Sequence, residues 1–482
     1  NMAELKSLAK DTAIYGASSI IGKFLNYFLV PIYTFSLPAA SGGYGVITKM
    51  YAIVALLLVV LTFGMETGFF RFANKGDDDP KKVYSVSLLM VGGVSLIFLL
   101  LCLVFLNPIA GLMGYGEHPW YLGMMLIVLA MDAIQAIPFA YLRYKKRPIK
   151  FAGLKLLFIF VSILLNILYF VVMKGDDVGV AFLINLICSF VVMLGLIPEF
   201  REFRYCPDRL LMKRMLYYSF PILILGVAGI VNQVGDKIIF PFVYPDKVEA
   251  DVQLGIYSAA TKIAMIMAMI TQAFRFAYEP FVFGKDKDNK QIYAQAMKFF
   301  IIFTLLAFLA VMFYLDILRY IIAKDYWEGL RVVPIVMIAE MFMGIYFNLS
   351  FWYKLTDDTK WGAYFSIIAC LIVVLMNIFL IPVYGYVACA WAGFTGYAIA
   401  MLLSYFVGQK KYPIAYDLRG IGCYVGLAII LYLIGEWMPI HNTVLLLALR
   451  TVLLLLFVAY IIKRDLPLQQ IPVINRIIKK KK

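Results

Sequence analysis

Ten of the 44 lysines and arginines fall inside stretches that are otherwise apolar and long enough to cross a bilayer: Lys23, Lys49, Lys155, Lys237, Lys262, Arg275, Lys298, Arg331, Arg419 and Arg450. Glu66, Asp132 and Glu340 share that setting. A charge in hydrocarbon is costly, so such a residue faces a wet cavity or a partner and marks a polar pathway. A fixed lysine at mid-depth acts as a point charge for an anion. A buried carboxylate can exchange a proton or ligate a cation, because burial disfavours its charged form. This is the chemistry of holding and moving a charged solute. Bond-breaking chemistry has little support: His118 and His441 are the only histidines, both at loops, and no HExxH, GxSxG or glycine-rich phosphate loop occurs. The six cysteines, Cys102, Cys188, Cys206, Cys370, Cys389 and Cys423, show no disulfide framework or metal spacing.

The elements that carry these residues follow from composition. With 63% hydrophobic, 16% aromatic and 15% charged residues, the chain has too little polar surface to enclose a water-soluble core. A helix needs roughly 20 apolar residues to span about 30 Å of hydrocarbon. Such runs lie near 12–36, 45–70, 83–106, 120–142, 151–173, 178–198, 216–241, 254–278, 292–316, 327–352, 362–382, 385–408, 416–436 and 442–462. The expected fold is therefore all-α with fourteen transmembrane helices. The first run contains Lys23 and Asn26 and is too long for a signal peptide, so it reads as the first span. With both termini cytoplasmic, 30 lysines and arginines fall in inside segments and four, Lys174, Lys247, Arg319 and Lys324, in outside loops. The positive-inside rule selects this orientation.

The net charge of +15 is spread over short loops beside span ends and over the tail Lys479–Lys482. Anionic membrane lipid, not nucleic acid, is the partner that fits it. No outside loop has room for an extracytoplasmic catalytic domain, which argues against a glycan polymerase or ligase.

The chain also repeats itself at an offset of about 205 to 211 residues. Phe70-Arg71-Phe72-Ala73 closes the second span, and Phe274-Arg275-Phe276-Ala277 closes the eighth. Tyr144-Lys145 is echoed by Tyr353-Lys354, and Asn166 in the fifth span by Asn377 in the eleventh. An even number of spans per repeat gives halves of the same orientation, 1–205 and 206–410, with 411–482 holding two peripheral spans and a basic cytoplasmic tail. That is the parallel-repeat plan of alternating-access carriers, whose substrate site lies near the midplane between the halves.

Three segments carry a family resemblance: Asn377-Ile-Phe-Leu-Ile-Pro382-Val-Tyr384-Gly385-Tyr-Val-Ala388, Gly235-Asp236-Lys237-Ile238-Ile239 with Leu254 to Lys262, and Glu66-Thr67-Gly68-Phe69-Phe70-Arg71-Phe72. The chain resembles Wzx-type polysaccharide flippases, exporters of O-antigen or capsule repeat units in the multidrug/oligosaccharidyl-lipid/polysaccharide (MOP) superfamily. The resemblance implies a MATE-like fold in the bacterial inner membrane, no enzymatic activity and no cofactor beyond a coupling ion, H+ or Na+. It implies transfer of an undecaprenyl-diphosphate-linked oligosaccharide through a cavity lined by spans one, two, seven and eight. A glycan polymerase and chain-length machinery are the implied protein partners. A lipid II flippase and a multidrug exporter are the alternatives within the superfamily.

On that basis Lys23, with Asn26 one turn on, is the leading candidate to meet a diphosphate, joined by Lys49, Lys237 and Lys262. Lysines outnumber carboxylates on the four cavity spans, so a cavity of net positive character is expected. Lys155, Asn166 and Asn377 are candidates for sugar contact, with interhelical hydrogen bonding as the alternative. Asp132, Glu340 and Glu66 are candidates for ion coupling, or for static salt bridges. Arg71, Arg275 and Asp236 are candidates for gates. Arg450, mid-way along the last span and outside the repeat, has no role legible in the sequence.

Overall fold

In hydrocarbon a helix satisfies every backbone group internally, so each long apolar run is driven to the same conformation. The computed structural model describes residues 2–23, 25–282, 290–356 and 358–465. Among these it has fourteen helices long and apolar enough to cross a membrane. Spans 1 to 6 are Ala13–Ser36, Gly43–Asn74, Pro80–Val104, Pro119–Tyr144, Pro148–Val172 and Val178–Gly195. Spans 7 to 12 are Arg209–Val243, Lys247–Arg275, Lys290–Phe313, Lys324–Leu355, Lys360–Tyr384 and Tyr386–Lys411. Spans 13 and 14 are Leu418–Glu436 and Thr443–Arg464. No strand occurs among the described residues, and the expected all-α fold is the one observed. The tail Lys479–Lys482 lies outside the described residues.

Span 7 begins earlier than its apolar pattern because Asp208 caps it, accepting from the N–H groups of Leu210 (3.1 Å) and Leu211 (3.2 Å). The ammonium of Lys82, 2.8 Å away, holds the Asp208 carboxyl below the usual carboxylate range.

Span 2 is two helices, Gly43–Thr62 and Met65–Asn74. Phe63 (φ 33°) and Gly64 (φ 71°) between them are left-handed, a conformation strained for phenylalanine. Span 7 docks on this break, and Ser219 Oγ donates to the Gly64 carbonyl at 3.4 Å. Nearby, the Arg71 guanidinium stacks on Tyr218 (4.5 Å) and Arg214 pairs with Asp78 (3.1 Å).

These contacts join spans 2 and 7 at the face carrying the chain ends, here the terminal face. The opposite face is sealed more extensively. Gly45 on span 2 and Gly255 on span 8 bring the two backbones together, such that a Cβ on Gly255 would lie 3.0 Å from the Gly45 nitrogen. Beside them the start of span 10 hooks onto the end of span 1 and the turn that follows it. Asp325 Oδ2 accepts from the Ala39 N–H (2.7 Å), Tyr326 OH donates to the Leu37 carbonyl (2.5 Å), and the Ala323 N–H donates to Thr34 Oγ1 (3.3 Å).

Asn166 ties span 5 to span 1: it accepts from Tyr33 OH at 2.9 Å and donates to the Ser162 carbonyl at 2.7 Å. Asn377, its counterpart by the repeat, is fully buried, and neither its Oδ1 nor its Nδ2 has a hydrogen-bond partner among the described residues. The motif Pro31-Ile32-Tyr33 aligns with Pro241-Phe242-Val243, so the second half has valine where the first supplies a hydroxyl. Tyr33→Phe is expected to lower stability by about 0.6 kcal/mol, the usual worth of such an interhelical bond. A double-mutant cycle with Asn166→Leu in detergent-unfolding measurements reads it; zero coupling would refute the pairing.

Spans 13 and 14 attach along span 9. At the terminal face Lys298 bridges Asp465 (2.6 Å) and Asp417 (3.2 Å). Near the opposite face the buried Arg450 donates to the carbonyls of Gly435 (Nε, 3.1 Å) and Phe313 (Nη1, 3.3 Å) and pairs with Asp316 (3.1 Å). Gly435 and Phe313 stand at the C-terminal ends of spans 13 and 9. One guanidinium thus satisfies two helix ends, where carbonyls lack intrahelical donors and the dipole is negative.

Candidate functional site

Between the sealed opposite face and the joint of spans 2 and 7 lies a cavity of about 600 Å³. Its walls come from spans 1, 2, 7 and 8, with spans 10 and 12 completing one side. The walls are unlike. Span 2 contributes Ala52, Ala55, Leu58 and Val59 below a polar rim of Tyr44, Thr48 and Tyr51. The wall from the second half carries the charge: Asp236 and Lys237 from span 7, Lys262 from span 8 and Glu340 from span 10.

Asp236 is committed within the protein. Tyr257 OH donates to its Oδ2 at 2.7 Å, and its Oδ1 accepts from the Lys237 N–H at 2.8 Å and lies 3.8 Å from Lys237 Nζ. The expected gate aspartate is therefore part of the cavity wall. Lys262 and Glu340 also line the cavity, and neither makes a hydrogen bond or an ion pair among the described residues. Asp236 and Lys237 are the charged neighbours acting on Glu340, and the same two act on Lys262. Tyr397 OH, from span 12, donates to the Asn232 carbonyl at 2.9 Å and steadies this side of the wall.

The other candidates lie elsewhere. Thr48 lines the cavity, but Lys49 is turned about 100° from it on the helix. Lys49 is buried, donates to the Met113 carbonyl at 2.8 Å and sits 4.5 Å from the Tyr115 ring. Lys155 rests 4.1 Å from the Phe139 ring, off the cavity wall. Asp132 accepts from Ser189 Oγ at 2.8 Å within the first half, and the half-exposed Glu66 lies 3.9 Å from Arg143. Asn166 and Asn377 pack between helices outside the cavity. Arg71 stacks on Tyr218, while Arg275 stacks at 4.8 Å on Phe347, itself a cavity residue. The side chains of Lys23 and Asn26 lie outside the described residues.

The expected net positive wall is described only in part, because the side chain of Lys23 lies outside the described residues. Its charged residues among those described are two lysines and two carboxylates, a formal balance of zero. Counting charge by span overlooked that Lys49 faces away and that span 10 reaches the cavity. The tyrosines of the rim and the polar pair Asn232-Gln233 were also missed as cavity residues; that pair, interrupting an apolar span, was the available signal.

The architecture is shared with solved membrane carriers. A lipid II flippase, MurJ, in an inward closed conformation aligns at TM-score 0.76 with 15% identity, over 93% of this chain and 98% of that one. The MATE multidrug transporter DinF-BH aligns at TM-score 0.61 with 15% identity, over 83% and 95%. An inward-facing MATE family transporter of the MOP superfamily aligns at 0.60 with 12% identity, over 83% and 94%. The fold is that of the MOP superfamily of membrane carriers.

A family model described as polysaccharide biosynthesis protein matches residues 8–277, more than half of the chain, and a MatE model matches residues 247–379. The chain belongs to the polysaccharide biosynthesis protein family. No curated protein sequence matches it.

Proposed function

We propose that the protein is an alternating-access carrier that moves an undecaprenyl-diphosphate-linked oligosaccharide repeat unit from the cytoplasmic to the outer leaflet of the bacterial inner membrane. The observation that carries this reading is the placement of Lys237 and Lys262 on one wall of a membrane-embedded cavity. Lysine offers three donors to a phosphate. The apolar side of the cavity, from Ala52 to Val59, and the family membership support an amphipathic substrate. The basic loops support a cytoplasmic terminal face, which makes the sealed face the outer one in this reading. Glu340, and away from the cavity Asp132 and Glu66, are the groups that can couple transport to H+ or Na+.

Lys262→Ala is expected to weaken binding of the lipid-linked diphosphate about tenfold to a hundredfold, as follows from losing a charge-assisted contact of about 1.5–3 kcal/mol. Surface polysaccharide should fall while protein level holds. Unchanged polysaccharide would remove Lys262 from the site.

A second reading rests on Asp236 and Glu340, carboxylates that a cationic drug would require in a multidrug exporter. Drug resistance conferred on a sensitive host would favour it. Complementation of a strain depleted of its lipid II flippase would favour lipid II as the cargo.

A further inference from the structure

The balanced charge of the cavity wall raises a question that affinity alone does not answer: what Glu340 does beside lysines that await an anion. Of the four charged side chains, Asp236 is engaged at both oxygens, by Tyr257 and by the Lys237 backbone and ammonium. Glu340 and Lys262 are the opposite charges of the wall that have no hydrogen bond or ion pair among the described residues. They enter the cavity from spans 10 and 8, with Lys237 as a shared neighbour. Tyr257, Tyr397 and Cys389 are the remaining titratable groups on that wall.

From this arrangement we infer that Glu340 is an internal counter-anion: it offsets the charge of Lys237, the cavity lysine that acts on it, when the cavity is empty and yields that lysine to the phosphates of the cargo when it is full. The inference rests on the function proposed above. Two separated opposite charges in a site of low effective dielectric attract strongly. A lysine left without a counter-charge in the membrane-embedded cavity during reorientation would be costly. A carboxylate on the same wall relieves that cost in the empty carrier and competes with a bound anion at the moment of release. Glu340 therefore weakens binding and speeds unloading, and an isosteric neutral residue should separate the two effects.

The test uses purified full-length protein in lipid nanodiscs with undecaprenyl diphosphate, a probe that bears no sugar. Glu340→Gln is expected to bind this probe about tenfold more tightly than the wild type, as follows from removing a competing charge worth about 1.4 kcal/mol. Cells carrying the variant should display less surface polysaccharide at normal protein level. Glu340→Asp, which keeps the charge on a shorter arm, should fall between the two in affinity and provides a second measurement if the glutamine variant does not fold.

Unchanged affinity for the sugar-free probe would overturn the inference, and so would weaker binding. Unchanged affinity together with weakened binding of the glycosylated lipid would make Glu340 an acceptor for sugar hydroxyls instead. A wild type that binds a lipophilic cationic dye and no diphosphate lipid would overturn the proposed function itself, and Glu340→Gln would then reduce dye binding.

Discussion

Replacing Gly45 with alanine is expected to hold the sealed face apart and stop transport without reducing the amount of protein. A Cβ at this position would lie 1.8 Å from the carbonyl oxygen of Asp251, 2.7 Å from its carbonyl carbon and 3.1 Å from its Cα. All three are backbone atoms, so no side chain can rotate out of the way. Overpacking in a close-packed interior costs about 1–3 kcal/mol, and a clash with backbone falls at the upper end. A penalty of about 3 kcal/mol on the closed form moves the closed-to-open ratio more than a hundredfold. The penalty applies to the state in which spans 2 and 8 touch, so the variant should fold and accumulate with that face open. Cys389 lines the cavity and provides the readout. A membrane-impermeant thiol reagent added outside should modify it in the variant faster than in the wild type. Normal export with unchanged labelling would show that the glycine contact does not have to close.

Arg450→Met should produce the largest loss of stability of any single substitution considered. The substitution leaves the carbonyls of Gly435 and Phe313 without their donor and Asp316 without the partner at 3.1 Å. A hydrogen bond from a charged group contributes about 1.5–3 kcal/mol. Asp316 keeps a second partner in Arg319 at 3.8 Å and is partly exposed, which limits the total to about 3–4 kcal/mol. Thermal unfolding in detergent should show a lower midpoint, with spans 13 and 14 the first to become protease-sensitive. Arg450→Lys should recover less than half of the loss, because one ammonium cannot serve three acceptors arranged around a planar fork. Equal stability of the methionine variant and the wild type would refute the account.

The spans were legible because bilayer thickness sets one length for every element, and all fourteen appear within a few residues of the apolar pattern except where a cap extends them. The cavity was legible in part. Lys237, Lys262, Asp236 and Glu340 are recognisable as charges in apolar runs, and they are the ones the structure brings together. Lys49 and Arg450 share that signature yet are held by backbone carbonyls of Met113, Gly435 and Phe313. A carbonyl is present at every residue and leaves no mark on the sequence, so a cation held by one cannot be told from a cation awaiting a ligand. Which charges on a span face the cavity was not legible for a related reason. A span contributes one face to the wall, and helices buried on several sides show no periodicity to say which.

The break in span 2 has a mechanical consequence. The helix Gly43–Thr62 is 20 residues long, a rod of about 30 Å at the usual rise per residue. It ends on Phe63 and Gly64, which span 7 grips, and its far tip carries the glycine contact. A rod of that length pivoting at one end moves its tip by about 0.5 Å per degree, so a swing of about six degrees would part Gly45 from Asp251 by the width of a water molecule. Opening the sealed face in this way asks for no unfolding and no new helix, only a small rotation at a joint already bent away from helical geometry.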